Sequence, residues 1–370
     1  MTNAASEADT LSNPIDSAAS KLDDTSLALA SSQYASPQTP KAEIADLAFT
    51  NILLEISGTG STGQYAPSSG EAIDLRLFPI PEQYATDIEA LRHALRDRIK
   101  RVPPGTRFSH NVGSLRLRVT PLEAEGNELW VILRRLPPMV PAPEALGISP
   151  AIVDEISRWL TIPGLTLIAG TFAAGKTWTG CTMLKAHVVK YGGLAISMES
   201  PTEFFMHGPM GEWGRCIQIP VGETTGQTWE QIAANVRKAS PSIIYVGEVS
   251  TPAIAKIVVA LSTTGRPILT TCHGSSHADA INTLASFAEE AGLHTAHATL
   301  AASLVGVAHQ TMVRGSPVVR LLSMDQPSTE DIREAIATGD NEAINQAAVE
   351  QEEASMDGMT DLSAPRGTRP

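Results

Sequence analysis

Between residues 145 and 325 short runs of apolar, β-branched residues alternate with longer stretches of helical spacing. GLTLIAG precedes a helix beginning at Lys176, GLAISM and RCIQIPV precede one beginning at Thr228, and SIIYVGE precedes TPAIAKIVVALSTTG. PILTTCH then precedes HADAINTLASFAEEAGL, and QTMVR with PVVRLLSMD reads as a terminal hairpin. Continuous apolar strands separated by helices predict an α/β fold with a parallel sheet covered on both faces. Residues 41–140 carry a different pattern. AEIADLAFTNILLEIS predicts an amphipathic helix, GSTGQYAPSSG a flexible loop, and AIDLRLFPI a strand. A helix is expected from Thr86, with Glu89 completing a capping box, and LRLRVT and LWVILRRL alternate like paired strands. The result is a small α+β domain, closed by the proline-rich PPMVPAPEALG as a linker.

Charge sharpens the division. The net charge is −13, but residues 1–40 hold five acids and one Lys, and residues 325–370 hold eleven acids and three Arg. That leaves 24 acids against 23 bases in between, so the acidity belongs to the ends and the middle is almost neutral. Residues 1–40 read as a disordered leader, and residues 326–370 as an acidic helix (STEDIREAIATGD) followed by a polar, disordered tail. A core without basic excess argues against direct nucleic-acid binding. Three scattered cysteines suit a reducing cytosol, and neither a signal peptide nor an integral membrane segment is visible.

The chemistry concentrates at strand ends. Gly170-Thr171-Phe172-Ala173-Ala174-Gly175-Lys176-Thr177 fits G-x-x-x-x-G-K-[ST], with a strand before it and a helix after it. In such a loop backbone amides cradle phosphate, Lys176 reaches the outer phosphates and Thr177 can ligate Mg²⁺. Glu248 ends SIIYVGE, Glu199 and Glu203 lie in MESPTEFF, and His273 ends PILTTCH, all expected at the sheet's carboxyl edge beside the loop. These are candidates for orienting water, holding metal and sensing phosphate. His273 with His277, and His294 with His297, lack the accompanying cysteine pair or carboxylate that a zinc site needs.

The ordered set GTFAAGKT, MESPTEFF, SIIYVGE and TTCH resembles the ATPases that drive type II secretion, type IV pili and conjugative type IV secretion, over residues 105–325. Among these it looks most like the ATPases of IncI-type conjugation and Dot/Icm-type (type IVB) systems, then the pilus retraction motors. The resemblance implies a RecA-like P-loop domain over 145–325, preceded over 41–140 by a PAS-like domain. It implies Lys176 and Thr177 in Walker A, Glu199 and Glu203 in the Asp box, Glu248 in Walker B and His273 in the His box. LRLRVT and LRRLP place Arg118 and Arg134 where the family's phosphate-reaching arginines stand. It further implies ATP and Mg²⁺ as cofactors, a homo-hexamer, and a cytoplasmic location beside inner-membrane secretion or pilus components. The chain departs from the family pattern at Ser200, Ser242, Ser250, Thr251, Gly265-Arg266 and Ala173-Ala174.

Overall fold

In the computed structural model, residues 43–57, 63–68, 76–137, 139–222, 226–325 and 329–361 are described. The expected leader, and the first half of AIDLRLFPI, lie outside them. The described residues from Glu43 onward belong to one compact unit.

Its first layer is a six-stranded antiparallel sheet. The strands are β1 (Phe49–Glu55), β2 (Gly63–Pro67), β3 (Phe78–Pro79), β4 (Phe108–Val112), β5 (Leu115–Ala124) and β6 (Glu128–Leu136), in the order β3-β2-β1-β6-β5-β4. Helix α1 (Ala85–Ile99) buries Ile88, Leu91 and Leu95. Three sequence expectations are corrected here. The stretch read as a first helix is a single 3₁₀ turn, Ile44–Asp46, followed by β1. Ile44 and Leu47 mimic helical spacing, but Ile52, Leu54 and Ile56 are buried at a period of two, and pairing on both edges with β2 and β6 decides the outcome. Part of the expected loop is strand β2. Thr86 caps nothing: a 3₁₀ turn at Glu82–Tyr84 starts the helix earlier, and Glu89 turns instead to Arg92 and His93.

The second layer is an eight-stranded sheet in the order β14-β13-β7-β12-β11-β8-β10-β9. Its members are β7 (Gly164–Gly170), β8 (Gly193–Glu199), β9 (Gly208–Met210), β10 (Gly214–Pro220), β11 (Ile243–Val249), β12 (Pro267–His273), β13 (Leu304–Val313) and β14 (Ser316–Ser323). Six neighbours from β13 to β10 run parallel, and the edge strands β14 and β9 are antiparallel. Every residue of β7 is buried, as a strand covered on both faces must be. One face is packed by α2 (Pro150–Trp159) and α3 (Lys176–Tyr191). The other is packed by α4 (Trp229–Ala239), α5 (Pro252–Ser262), α6 (His277–Glu290), α7 (Ala296–Ser303) and α8 (Glu330–Thr338). The carboxyl ends of β7, β8, β11 and β12 therefore open on one edge, the position at which α/β sheets bind ligands.

The expected polar tail is corrected too. Helix α9 runs from Asn341 to Asp361, with Ile344 fully buried and Ala348 5% exposed. The Gln351 amide donates to Ser323 O (3.0 Å) and accepts from Ser323 N (2.8 Å), extending the bonding of β14. All three cysteines are free and buried, and burial pushes the Cys216 and Cys272 thiols up to about 12.

Candidate functional site

Residues 170–177 join the end of β7 to the start of α3. Gly170 is required by close approach: a Cβ there would lie 2.1 Å from Gln310 O on β13. Ala173 adopts φ 61°, a left-handed conformation that costs an L-residue about 1–2 kcal/mol. Gln310, buried beside His309 near the end of β13, staples the loop. Its Nε2 donates to Ala174 O (2.5 Å) and its Oε1 accepts from Thr179 Oγ1 (2.7 Å). The first amides of α3 remain outside the helical ladder, which makes the helix start an anion site.

Lys176 Nζ donates to Gly170 O (3.0 Å) and Thr171 O (2.9 Å) and stands 3.3 Å from His273 Nδ1. An ammonium can only donate, so Nδ1 accepts and the ring hydrogen sits on Nε2, 3.1 Å from Glu248 Oε1. Lys176, His273 and Glu248 thus form one hydrogen-bonded chain from β12 and β11 to the loop. Burial lowers the Lys176 pKa, and the Glu248 charge opposes that shift. Phe172, 81% exposed, stacks on the His273 ring with planes 12° apart.

Glu199, the last residue of β8, is 2% exposed. Its carboxylate accepts from Ser197 Oγ and from Gln218 Nε2 (2.8 Å). Burial raises its pKa, and the Ser197 and Gln218 hydrogen bonds and the Arg116 charge pull it back. Gly247 makes room for it, since a Cβ there would meet Glu199 Cγ at 2.9 Å. Glu203 is instead ion-paired with Arg118 of β5. Arg118 pairs in register with Arg134 of β6. Its pKa is lowered to about 10 by burial and by the charges of Arg134 and Arg107, and Glu248 pulls it up.

A cleft of about 350 Å³ gathers Arg107 and Arg118 on one wall and Thr177, Glu199, Glu203 and Glu248 on the other. Arg134 stands behind Arg118 in register, exposed. The sequence reading missed Arg107, Gln218 and Gln310. Gln310 left a signal, an amide directly after the apolar run LVGVA and His309; Gln218 interrupts the apolar pattern of RCIQIPV.

His277 and His309 lie away from the cleft, with ring centroids 5.4 Å apart. His277 Nε2 donates to Arg320 O (3.1 Å), and burial lowers its pKa to about 4. His297 is held by Glu289 (2.9 Å) and Asn282 (3.2 Å).

Known proteins resemble this chain in sequence and in fold. The type II secretion system protein HxcR of Pseudomonas aeruginosa is 28% identical over 172 residues, covering 46% of this chain and 34% of its own length. The chain spans between a third and about two fifths of the length of this and the next type II secretion relatives it matches. Among solved structures, the pilus retraction motor PilT with bound ADP superposes with TM-score 0.63 at 20% identity, covering 84% of this chain and 87% of its own. The Legionella pneumophila ATPase DotB superposes with TM-score 0.61 at 17% identity, covering 84% of each chain. At these identities the superpositions establish the fold. Residues 90–355, well over half of the chain, match the sequence model of the Type II/IV secretion system protein family, and the chain belongs to that family.

Proposed function

We propose that the chain is an ATPase that works as a homo-hexameric ring and powers a type IV, type IVB-like conjugative secretion apparatus by binding and hydrolysing ATP. The observation that carries the chemistry is the Lys176–His273–Glu248 chain beside a cleft whose opposite wall is arginine. The amides of residues 170–177 would hold the β- and γ-phosphates, with Lys176 exchanging its loop carbonyls for phosphate oxygens. Glu248 would orient the attacking water, and His273 would report occupancy of the phosphate site to it. Arg118 and Arg134 would neutralise charge developing on the transferred group.

The donors suit Mg²⁺. Thr177, Glu199, Glu203 and Glu248 line one cleft with hard oxygen atoms, and neither Cys nor His lines it. Thr177 and Glu203 would hold the ion, which would supply charge neutralisation at the phosphates. Membrane association would come through inner-membrane partners of the apparatus, the protein itself being cytoplasmic. No helix of the described residues is long and apolar enough to cross a membrane.

A second reading, a ring scaffold that binds ATP and hardly turns over, draws on the burial of Glu199, which favours its neutral form. Pilus retraction is the alternative task for the same motor, and neighbouring genes for transfer proteins or for pilins separate the two. Wild type, Lys176→Ala and Glu248→Gln test the motor. The first substitution should weaken nucleotide binding itself. The second should keep binding and cut phosphate release by about 10²–10⁴-fold. Equal, near-background release from wild type and Glu248→Gln, both binding ATP, would end the motor reading.

A further inference from the structure

The backbone of residues 200–207 runs between the two sheets and is gripped from both sides. From the N-terminal sheet, Ser109 Oγ donates to Thr202 O (2.5 Å), and Arg116 Nη2 donates to Thr202 Oγ1 (2.6 Å). Arg116 Nε also reaches Glu203 O (3.2 Å). Thr202 and Arg116 are 4% and 8% exposed, and the Arg116–Thr202 side-chain bond is buried, where a hydrogen bond is stronger than in water.

From the other side comes Gln218 of β10. Its Nε2 gives one hydrogen to Glu199 Oε1 (2.8 Å) and the other to Phe204 O (2.8 Å). Its Oε1 accepts from Met206 N (3.1 Å). An amide offers two N–H donors and one acceptor oxygen, and all of them are used. A carboxylate of equal length would lack the donors and repel an ionised Glu199, an ammonium would lack the acceptor, and a thioether would lack the donors and offer only a weak acceptor. The chemistry of the position therefore selects Gln.

We infer that Gln218 is a positioning residue: it fastens the Glu199 carboxylate to the backbone of residues 204–206, so that a displacement of residues 200–207 by the N-terminal sheet is delivered to Glu199. The inference rests on the ATPase reading above and extends it, because it names the route by which the arginine-bearing sheet controls an acid buried in the other layer. The link is direct. Ser109 and Arg116 hold Thr202, Thr202 is two residues from Phe204, and Phe204 shares a donor group with Glu199.

The test uses the full-length chain, a fluorescent ATP analogue for affinity and phosphate release for turnover. Gln218→Met keeps the volume and removes all three bonds. It should lower kcat on the order of 10-fold or more while KM and analogue affinity stay within about twofold, since misplacing a catalytic group by a fraction of an ångström acts on rate rather than binding. Thr202→Val removes the Arg116 Nη2–Thr202 Oγ1 bond while leaving the bonds to the Thr202 and Glu203 carbonyls, so it loosens the same linkage at its other end and should lower kcat by less than Gln218→Met. The double variant should be no slower than Gln218→Met alone, because with Gln218 gone the loosening at Thr202 has no path left to Glu199. Thermal midpoints are recorded alongside; if Gln218→Met does not fold, Gln218→Asn, one methylene too short to reach both Glu199 and Phe204, replaces it with the same expectation. A wild-type kcat in the folded Gln218 variant, or losses that multiply in the double variant, overturn the inference. A wild-type protein that releases no phosphate removes the ATPase reading beneath it, a distinct result.

Discussion

Arg118 and Glu203 are ion-paired across the cleft, one carried by the antiparallel sheet and the other by the segment after β8, with side chains 18% and 27% exposed. On the proposed ATPase reading, an arginine committed to a protein carboxylate is held ready at the site but must share itself when phosphate arrives. Arg118→Ala should keep nucleotide affinity within a few-fold and lower turnover by about 10²-fold, the usual cost of losing one charge-stabilising donor. Arg134→Ala should keep ATP binding and cut turnover in the same way. Phosphate release measured beside analogue binding checks both, and unchanged release in Arg134→Ala would make that residue structural.

The loop of residues 170–177 carries its own strain at Ala173, the left-handed alanine. Ala173→Gly should raise the urea midpoint by an amount equivalent to up to about 1 kcal/mol, because relief of the side-chain clash outweighs the added freedom of the unfolded chain. Equilibrium denaturation of the two proteins decides it, and a lower midpoint for the variant would contradict the loop geometry.

Helix α9 carries a prediction that the polar, disordered tail expected from composition would not make. Ile344 is fully buried against the second sheet's helices, so Ile344→Ala should cost about 2–5 kcal/mol. Truncation after Asp340 should cost more. Urea titration monitored by tryptophan fluorescence measures both, and a truncated chain as stable as the whole would show α9 to be an appendage.

Acid sensitivity should trace in part to His277. Its folded pKa, about 4, lies below the unfolded value near 6.5, so between those values the unfolded chain binds the extra proton. Stability is fully present above pH 6.5 and falls as pH drops toward 4, by on the order of 3 kcal/mol for this group. Burial also lowers His309, which faces it, and Arg320 and Asp279 stand beside the pair. Loss of stability from pH 7 to pH 4.5 should therefore be smaller, not absent, in His277→Gln, compared by denaturation at each pH.

The parallel sheet was readable because its strands are continuous apolar runs punctuated by residues with few other uses. Gly170, Glu199, Glu248 and His273 each fall at the end of such a run, and the topology brings those ends to one edge. Burial on two faces erases alternation and leaves a signal that short windows detect. The antiparallel sheet was harder. Across residues 44–56 the apolar positions satisfy a helical spacing before β1 and a strand spacing within it, and only the distant partners in β2 and β6 choose. The connections of the site were harder still. Ser109 meets Thr202 across 93 residues, and Gln310 meets Ala174 across 136. Nothing local in a sequence encodes such a meeting.

The burial of Cys181, Cys216 and Cys272 has a practical corollary. Thiolate is the reactive form, and each of these thiols is both shielded and held far from ionisation at neutral pH. The folded chain should therefore react slowly with maleimides without any engineering. A dye pair attached through cysteines introduced at exposed Met139 and Trp213 would report motion between those points against an unlabelled background. Slow labelling of the native chain would, conversely, time its spontaneous opening.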